Sequence, residues 1–215
     1  MKITNNLYVL VDKVARAYLI DTPQGIALID TGLPGNERKI ERFVHKIGKT
    51  MKDIKYILIT HSDSDHYGAL RALQKKTDAK TVASDLEAKA IRKGTSSRQI
   101  NPKGIVKMFY SLMINAFRAK PARVDVSIRP NDRIPFWGGI NVLSSAGHTP
   151  GHLSFFARSH SVLFAGDSIL IHRGKLVPAS GANTWDSEMA IKSFEQQLIL
   201  KPKFICGGHG WKVNG

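Results

Sequence analysis

The stretch His61-Ser62-Asp63-Ser64-Asp65-His66 places four potential metal ligands within six positions, directly after the apolar run Ile57-Leu58-Ile59. Imidazole and carboxylate are the donors that hold zinc, iron and manganese. In an extended loop, positions 61, 63 and 65 point to one side and position 66 to the other. One segment can then serve two neighbouring ions. The intervening serines are small and leave room, and a buried strand end holds such a loop rigid enough for precise ligand geometry.

One loop cannot complete two ion sites, and the rest of the chain offers what is missing. Gly147-His148-Thr149-Pro150-Gly151-His152 reads as a tight turn between strands. Phe164-Ala165-Gly166-Asp167-Ser168 sets an acid just past a strand, and Gly207-Gly208-His209-Gly210 does the same with a histidine. Each time a strand ends and a potential ligand follows, flanked by glycine.

The remaining elements extend outward from this loop. Upstream, Leu7–Val11, Ala17–Ile20 and Gly25–Asp30 are short, apolar and separated by turn residues, as in a meander. A helix is expected after Asn36, with Ile40, Phe43, Val44 and Ile47 on one face and Gly48 as its stop. Lys55–Thr60 reads as a buried strand. Downstream come a helical turn at 69–73, a strand at 80–83 and a helix capped by Ser84 or Asp85. Strands follow at 122–128, 140–145, 152–157 and 161–165. A helix over 186–200 has Ile191, Phe194 and Leu198 expected inward, and 203–206 is a closing strand. Helices set apart from runs of strands suggest two packed sheets with helices outside. No internal linker or repeat divides the chain, so residues 1–215 read as one domain.

With these pieces in order, the sequence resembles the metallo-β-lactamase superfamily, whose usual pattern is His-x-His-x-Asp-His, then a histidine, a bridging aspartate and a final histidine. The resemblance runs from about Leu7 to His209 and includes the strand end Ile29-Asp30-Thr31-Gly32. It implies an α+β fold, a four-layer αββα sandwich. It also implies that His61, Asp63 and His148 hold one ion, that Asp65, His66 and His209 hold a second, and that Asp167 bridges them. The implied cofactors are two divalent metal ions, zinc the first choice and iron or manganese the alternatives.

One position departs from that pattern: Asp63 stands where the superfamily usually has histidine. Asp63, Asp65, Asp167 and a bridging hydroxide would balance two divalent ions, a harder and less electrophilic set that leans towards iron or manganese. Zinc also accepts carboxylate. The expected chemistry is a hydroxide bridged by two ions attacking a small ester, lactone or thioester, with Asp65 as the catalytic residue that orients it and shuttles a proton. A di-iron redox protein or oxygenase, suggested by the carboxylate at 63, and a nucleic-acid phosphodiesterase, suggested by charge, are the alternatives. Within the superfamily, standard acyl-homoserine lactonases carry a tyrosine three residues after the bridging aspartate, where this chain has Leu170. No glutathione-binding helical domain is expected beyond His209.

Other residues are read more plainly. His152 is expected to support the site rather than ligate. His45 and His160 are expected in solvent and Cys206 in the core. Asp30 is expected to be a buried acid near the site, and His172 and Arg173 are candidates for reaching substrate. Tyr67 is left open between core and substrate.

Composition bounds the rest. With 42% hydrophobic residues the chain can build a core. A single cysteine excludes an internal disulfide and a cysteine-based zinc finger. The polar start and the lack of a membrane-length apolar run point to a cytoplasmic protein. The net charge of +15 is uneven: residues 92–129 carry nine Lys and Arg against one acid, Asp125. Such a field draws anions, so the expected partner is a small molecule, anionic or with an apolar part. Nucleic acid and membrane rank behind it. The apolar stripe with basic flanks over 103–118 reads as a lid or a homodimer face ahead of a membrane contact.

Overall fold

A computed structural model describes residues 1–11, 14–98 and 118–214. Its layers follow from strands that are apolar on both faces. β1 (Leu7–Val11), β2 (Arg16–Thr22) and β3 (Gly25–Ile29) form the antiparallel meander. β4 (Ile54–Leu58), β5 (Lys80–Ala83) and β6 (Val126–Ser127) then add in parallel, giving a six-stranded sheet in sequence order. Because side chains alternate along a strand, Leu19, Ile26, Leu28 and Ile57 face one way, while Leu7, Val9, Ile20 and Ile29 face the other.

The second sheet is built from β7 (Arg133–Ile134), β8 (Ile140–Ser144), β9 (Leu153–Ala157), β10 (Val162–Gly166), β13 (Phe204–Gly207) and β14 (Gly210–Val213). Its order is β14-β13-β10-β9-β8-β7, with β10 and β13 parallel. A separate hairpin joins β11 (Ile169–His172) to β12 (Lys175–Pro178).

Three apolar clusters define four layers. The middle cluster lies between the sheets, where Val9, Ile20 and Ile29 meet Val142, Phe155 and Phe164. On the outer face of the first sheet, α1 (Glu37–Lys46), the single turn α3 (Leu70–Leu73) and α4 (Asp85–Lys93) contribute Ile40, Val44, Leu70, Leu73 and Ile91. On the outer face of the second sheet, α5 (Ser187–Ile199) sets Phe194 and Leu198 against Phe156, Leu163 and Ile205. This is the expected αββα sandwich.

Several details correct the expectations. The strand at 122–128 shrinks to Val126–Ser127, because Ala122 and Val124 pack in the helical layer instead of extending the ladder. Ile191 on α5 is 48% exposed. The inner stripe is centred on Ala190, Ser193 and Gln197 instead, since Ser193 donates to the Ala146 carbonyl and Gln197 bonds Ser168. Asn36 precedes α1, but its amide donates to the Thr31 carbonyl and does not cap the helix. The hairpin and β14 had no clear signal in the sequence. Of the stretch 103–118, only Arg118 falls within the described residues. No helix among the described residues is long and apolar enough to cross a membrane.

Candidate metal centre

The site grows from the ends of neighbouring strands. Asp30, directly after β3, is held at φ 57°, a left-handed conformation that Asp and Asn tolerate best after glycine. Its carboxylate accepts from the Thr60 backbone N–H and hydroxyl, both at 2.8 Å, and so ties the exit of β3 to the exit of β4. It also faces His66 Nδ1 at 2.9 Å. The loop is not extended throughout. Asp63 has extended φ/ψ, but Ser64–Tyr67 forms one helical turn, α2. Asp65 and His66 are therefore presented from a turn of helix rather than from opposite sides of a strand-like segment.

Hydrogen bonds fix which nitrogen each histidine offers. The Thr60 hydroxyl gives its proton to Asp30, so its oxygen accepts from His61 Nδ1 at 3.0 Å. Asp30 accepts from His66 Nδ1. The Val14 carbonyl, which can only accept, takes the His209 Nδ1 proton at 2.8 Å. In all three rings Nδ1 is thus committed outward as a donor, which leaves Nε2 as the atom turned inward, the arrangement that orients imidazole towards a metal. His61 Nε2, His66 Nε2 and Asp167 Oδ1 are buried with no hydrogen-bond partner. Buried polar atoms rarely stay unpartnered, and three together on metal-type donors fit a divalent cation.

The structure brings all seven predicted site residues together. His61, Asp63 and His148 offer ligand atoms within 4.8 Å of one another, as do Asp65, His66 and His209, and as do His61, His66 and Asp167. Asp63 Oδ2 lies 3.6 Å from His61 Nε2 and 3.2 Å from His148 Nε2. Asp167 sits between the groups, with Oδ1 3.3 Å from His66 Nε2 and Oδ2 3.0 Å from His209 Nε2 and 3.6 Å from His148 Nε2. Asp65 Oδ2 is 3.8 Å from His66 and 3.7 Å from His209.

The charges are strongly coupled. Burial alone would raise the carboxyls of Asp63 and Asp167, but histidines around both, and Arg98 beside Asp63, hold them well below the usual range. Burial likewise works against the charged form of His66, yet Asp167, Asp65 and Asp30 keep it well above its ordinary value. His209 is raised in the same way, burial being outweighed by Asp167. His148 is lowered, mainly by burial.

Supporting residues hold these groups in place. His152 accepts from the Asp167 backbone N–H at 3.1 Å and bonds Ser145 Oγ at 2.7 Å, the supporting role expected of it. Tyr18 shares its hydroxyl proton between the carbonyls of Gly207 and Gly210, at 2.7 and 3.0 Å, which fixes the turn that carries His209. A Cβ on Gly208 would lie 2.0 Å from Asp167 Oδ1, so only glycine lets that turn pass the carboxylate.

Two residues went unnoticed in the sequence. Glu87 on α4 is fully buried and accepts from Ser62, Ser97, Thr149 and Gly151. Arg98 reaches Asp63 and His148. In the sequence, the first looked like an ordinary first-turn helix acid and the second like one more surface cation. Their partners are tens of residues distant. The other candidates are not among the clustered donors. His45 and His160 are exposed, and His172 and Arg173 are exposed at the tip of the β11–β12 hairpin. Tyr67 is core, and burial pushes its pKa up to about 12. Cys206 is buried between the sheets, and burial pushes its thiol up.

Comparison with known proteins agrees with this fold. The family model for the metallo-beta-lactamase superfamily matches residues 12–209. The protein YobT of Bacillus subtilis (strain 168) is 30% identical over 90% of this chain and 82% of its own length. The hydroxyacylglutathione hydrolase GloC of Haemophilus influenzae is 27% identical over 88% of this chain and 82% of its own. Among solved structures, a Cronobacter sakazakii metallo-beta-lactamase with a HARLDQ motif superposes at a TM-score of 0.75. It is 22% identical, and the match covers 98% of this chain and 77% of that one.

Proposed function

The chain belongs to the metallo-beta-lactamase superfamily, and from that premise we propose that it is a binuclear metallohydrolase of small esters, lactones or thioesters. The observation that carries the reading is the set of three buried, unpartnered ligand atoms, His61 Nε2, His66 Nε2 and Asp167 Oδ1, at the centre of seven converging donors. His61, Asp63 and His148 would hold one divalent ion, and Asp65, His66 and His209 the other, with Asp167 shared. Zinc is the favoured metal, and the carboxylate at 63 makes iron or manganese the alternatives. When bound, such ions acidify water towards neutral pH and polarise the attacked oxygen.

The chain's own groups do the remaining work. Asp30, Thr60 and the Val14 carbonyl keep the imidazoles in the tautomer that presents Nε2. Asp65, whose side chain is 22% exposed and so open to solvent, is placed to orient the attacking water and to hold its proton. Apolar surface flanks the site on two sides. Val14, whose carbonyl holds His209, is 49% exposed, and Trp185, whose backbone N–H donates to the His148 carbonyl, is 48% exposed. These flanks suit a substrate with an acyl part. The relative GloC, a hydroxyacylglutathione hydrolase, supports an acyl centre rather than a phosphodiester.

The test is metal analysis joined to a substrate panel. The protein without a histidine tag should carry about two equivalents of metal, largely lost in Asp167→Ala. The zinc-loaded protein should hydrolyse a lactone, a thioester or an aryl ester, and Asp65→Asn should lower kcat about 10²-fold or more. Failure to retain metal even after reconstitution sinks the hydrolase reading.

A further inference from the structure

The two halves of the site differ in one respect that the ligand set does not explain. His66 Nε2 and Asp167 Oδ1 are left without partners, as is His61 Nε2, and His209 Nε2 hydrogen-bonds only with Asp167. Around Asp63 and His148 the ligand atoms are already engaged by a cation of the chain itself. Arg98, on the segment following α4, places Nη2 2.5 Å from Asp63 Oδ2. Its Nη1 lies 3.1 Å from His148 Nε2 and also donates to the Asn183 carbonyl. The other oxygen of Asp63 accepts from Ser96 Oγ at 2.7 Å. Both Asp63 Oδ2 and His148 Nε2, the atoms that would face an ion together with His61 Nε2, therefore meet the guanidinium first. The contact is buried, with the side chains of Arg98 and Asp63 only 9% and 11% exposed.

We propose that Arg98 is a built-in competitor for the His61/Asp63/His148 half-site, so that the two ions load unequally and the second ion must evict the guanidinium. This rests on the metal reading above. Charge is balanced in both states, which makes the exchange a switch rather than a permanent block. The carboxylates of Asp63, Asp65 and Asp167 carry three negatives, matched by one divalent ion plus Arg98. Two divalent ions plus a hydroxide match them equally, and Arg98 is then surplus. The guanidinium is also an imperfect occupant. Its Nε is buried without a partner, a cost that leaving would relieve.

The experiment is zinc titration of the metal-free full chain against a chromophoric chelator, in the wild type, Arg98→Met and Arg98→Lys, with circular dichroism to confirm folding. Losing a charge-assisted hydrogen bond to Asp63 should strengthen binding of the second equivalent about tenfold or more in Arg98→Met. The first equivalent should be unchanged, and Arg98→Lys should stay near wild type. Equal second-site affinity in wild type and Arg98→Met, with zinc still bound by both, overturns this inference alone. Absence of zinc binding in all three overturns the metal reading with it.

Discussion

At the scale of single residues, the site depends on which way each imidazole carries its proton. His66 has Nδ1 2.9 Å from Asp30 Oδ2, and the same oxygen accepts the Thr60 hydroxyl at 2.8 Å. Asp30→Asn keeps the left-handed backbone at φ 57°, which asparagine accepts. The amide, however, cannot serve every donor. If its NH₂ faces His66, the ring must accept at Nδ1 and carry its proton on Nε2, which blocks the ligand atom. If its oxygen faces His66, the NH₂ confronts the Thr60 N–H. Either way metal affinity should fall about 10–100-fold, the usual effect of losing a partner behind a ligand. Chelator competition measures this, and an unchanged dissociation constant would show that Asp30 is only structural. The seven ligand candidates were legible because histidine and aspartate cluster beside glycine at strand ends. Their partners were not: Asp30 and His66 are 36 residues apart, and nothing local couples them.

At the scale of elements, strands such as β2, β3 and β4 could be read from unbroken apolar runs between turn residues, whereas the strand read over 122–128 keeps only the two residues of β6. α5 was legible in extent and in the inward placing of Phe194 and Leu198, but not at Ile191, because its inner face also uses Ser193 and Gln197 to satisfy the loops behind the site. α4 holds the less visible device. Glu87 Oε2 accepts from the N–H and hydroxyl of Ser62, at 2.8 and 2.5 Å, while Oε1 accepts from Ser97, Thr149 and Gly151 at 2.8, 2.7 and 3.0 Å. Ser62 lies between His61 and Asp63, and Thr149 adjoins His148. One helix thus fixes both loops of a half-site through a single carboxylate. Glu87→Gln would turn an NH₂ group onto donors in a fully buried position, at a cost of about 1–3 kcal/mol. Urea unfolding of the metal-free protein should show that loss, and zinc titration should show weaker binding of one equivalent. A variant as stable as wild type would mean that the loops hold themselves.

At the scale of the whole molecule, metal binding and folding are linked through protons. His66 and His209 have raised pKa values in the metal-free fold, against an ordinary value near 6.5. Their protonated forms stabilise that fold fully below the ordinary value, and the contribution is lost as pH rises through the raised ones. An ion can bind their Nε2 atoms only by displacing those protons, so each bound proton weakens zinc about tenfold per pH unit of acidification. His148 and His152 are lowered, mainly by burial, and are neutral in the fold with or without metal. Their effect on unfolding is therefore common to both forms and cancels in the difference. The rise in Tm on adding zinc at fixed free concentration should grow as pH climbs through the ordinary value towards the raised ones, because displacing the protons of His66 and His209 then costs less. Melting the metal-free and loaded proteins side by side across that range measures the difference directly. A zinc-induced shift that stays flat or shrinks with pH would mean that the ion does not take the place of those protons, and that His66 and His209 serve Asp167 and not a metal.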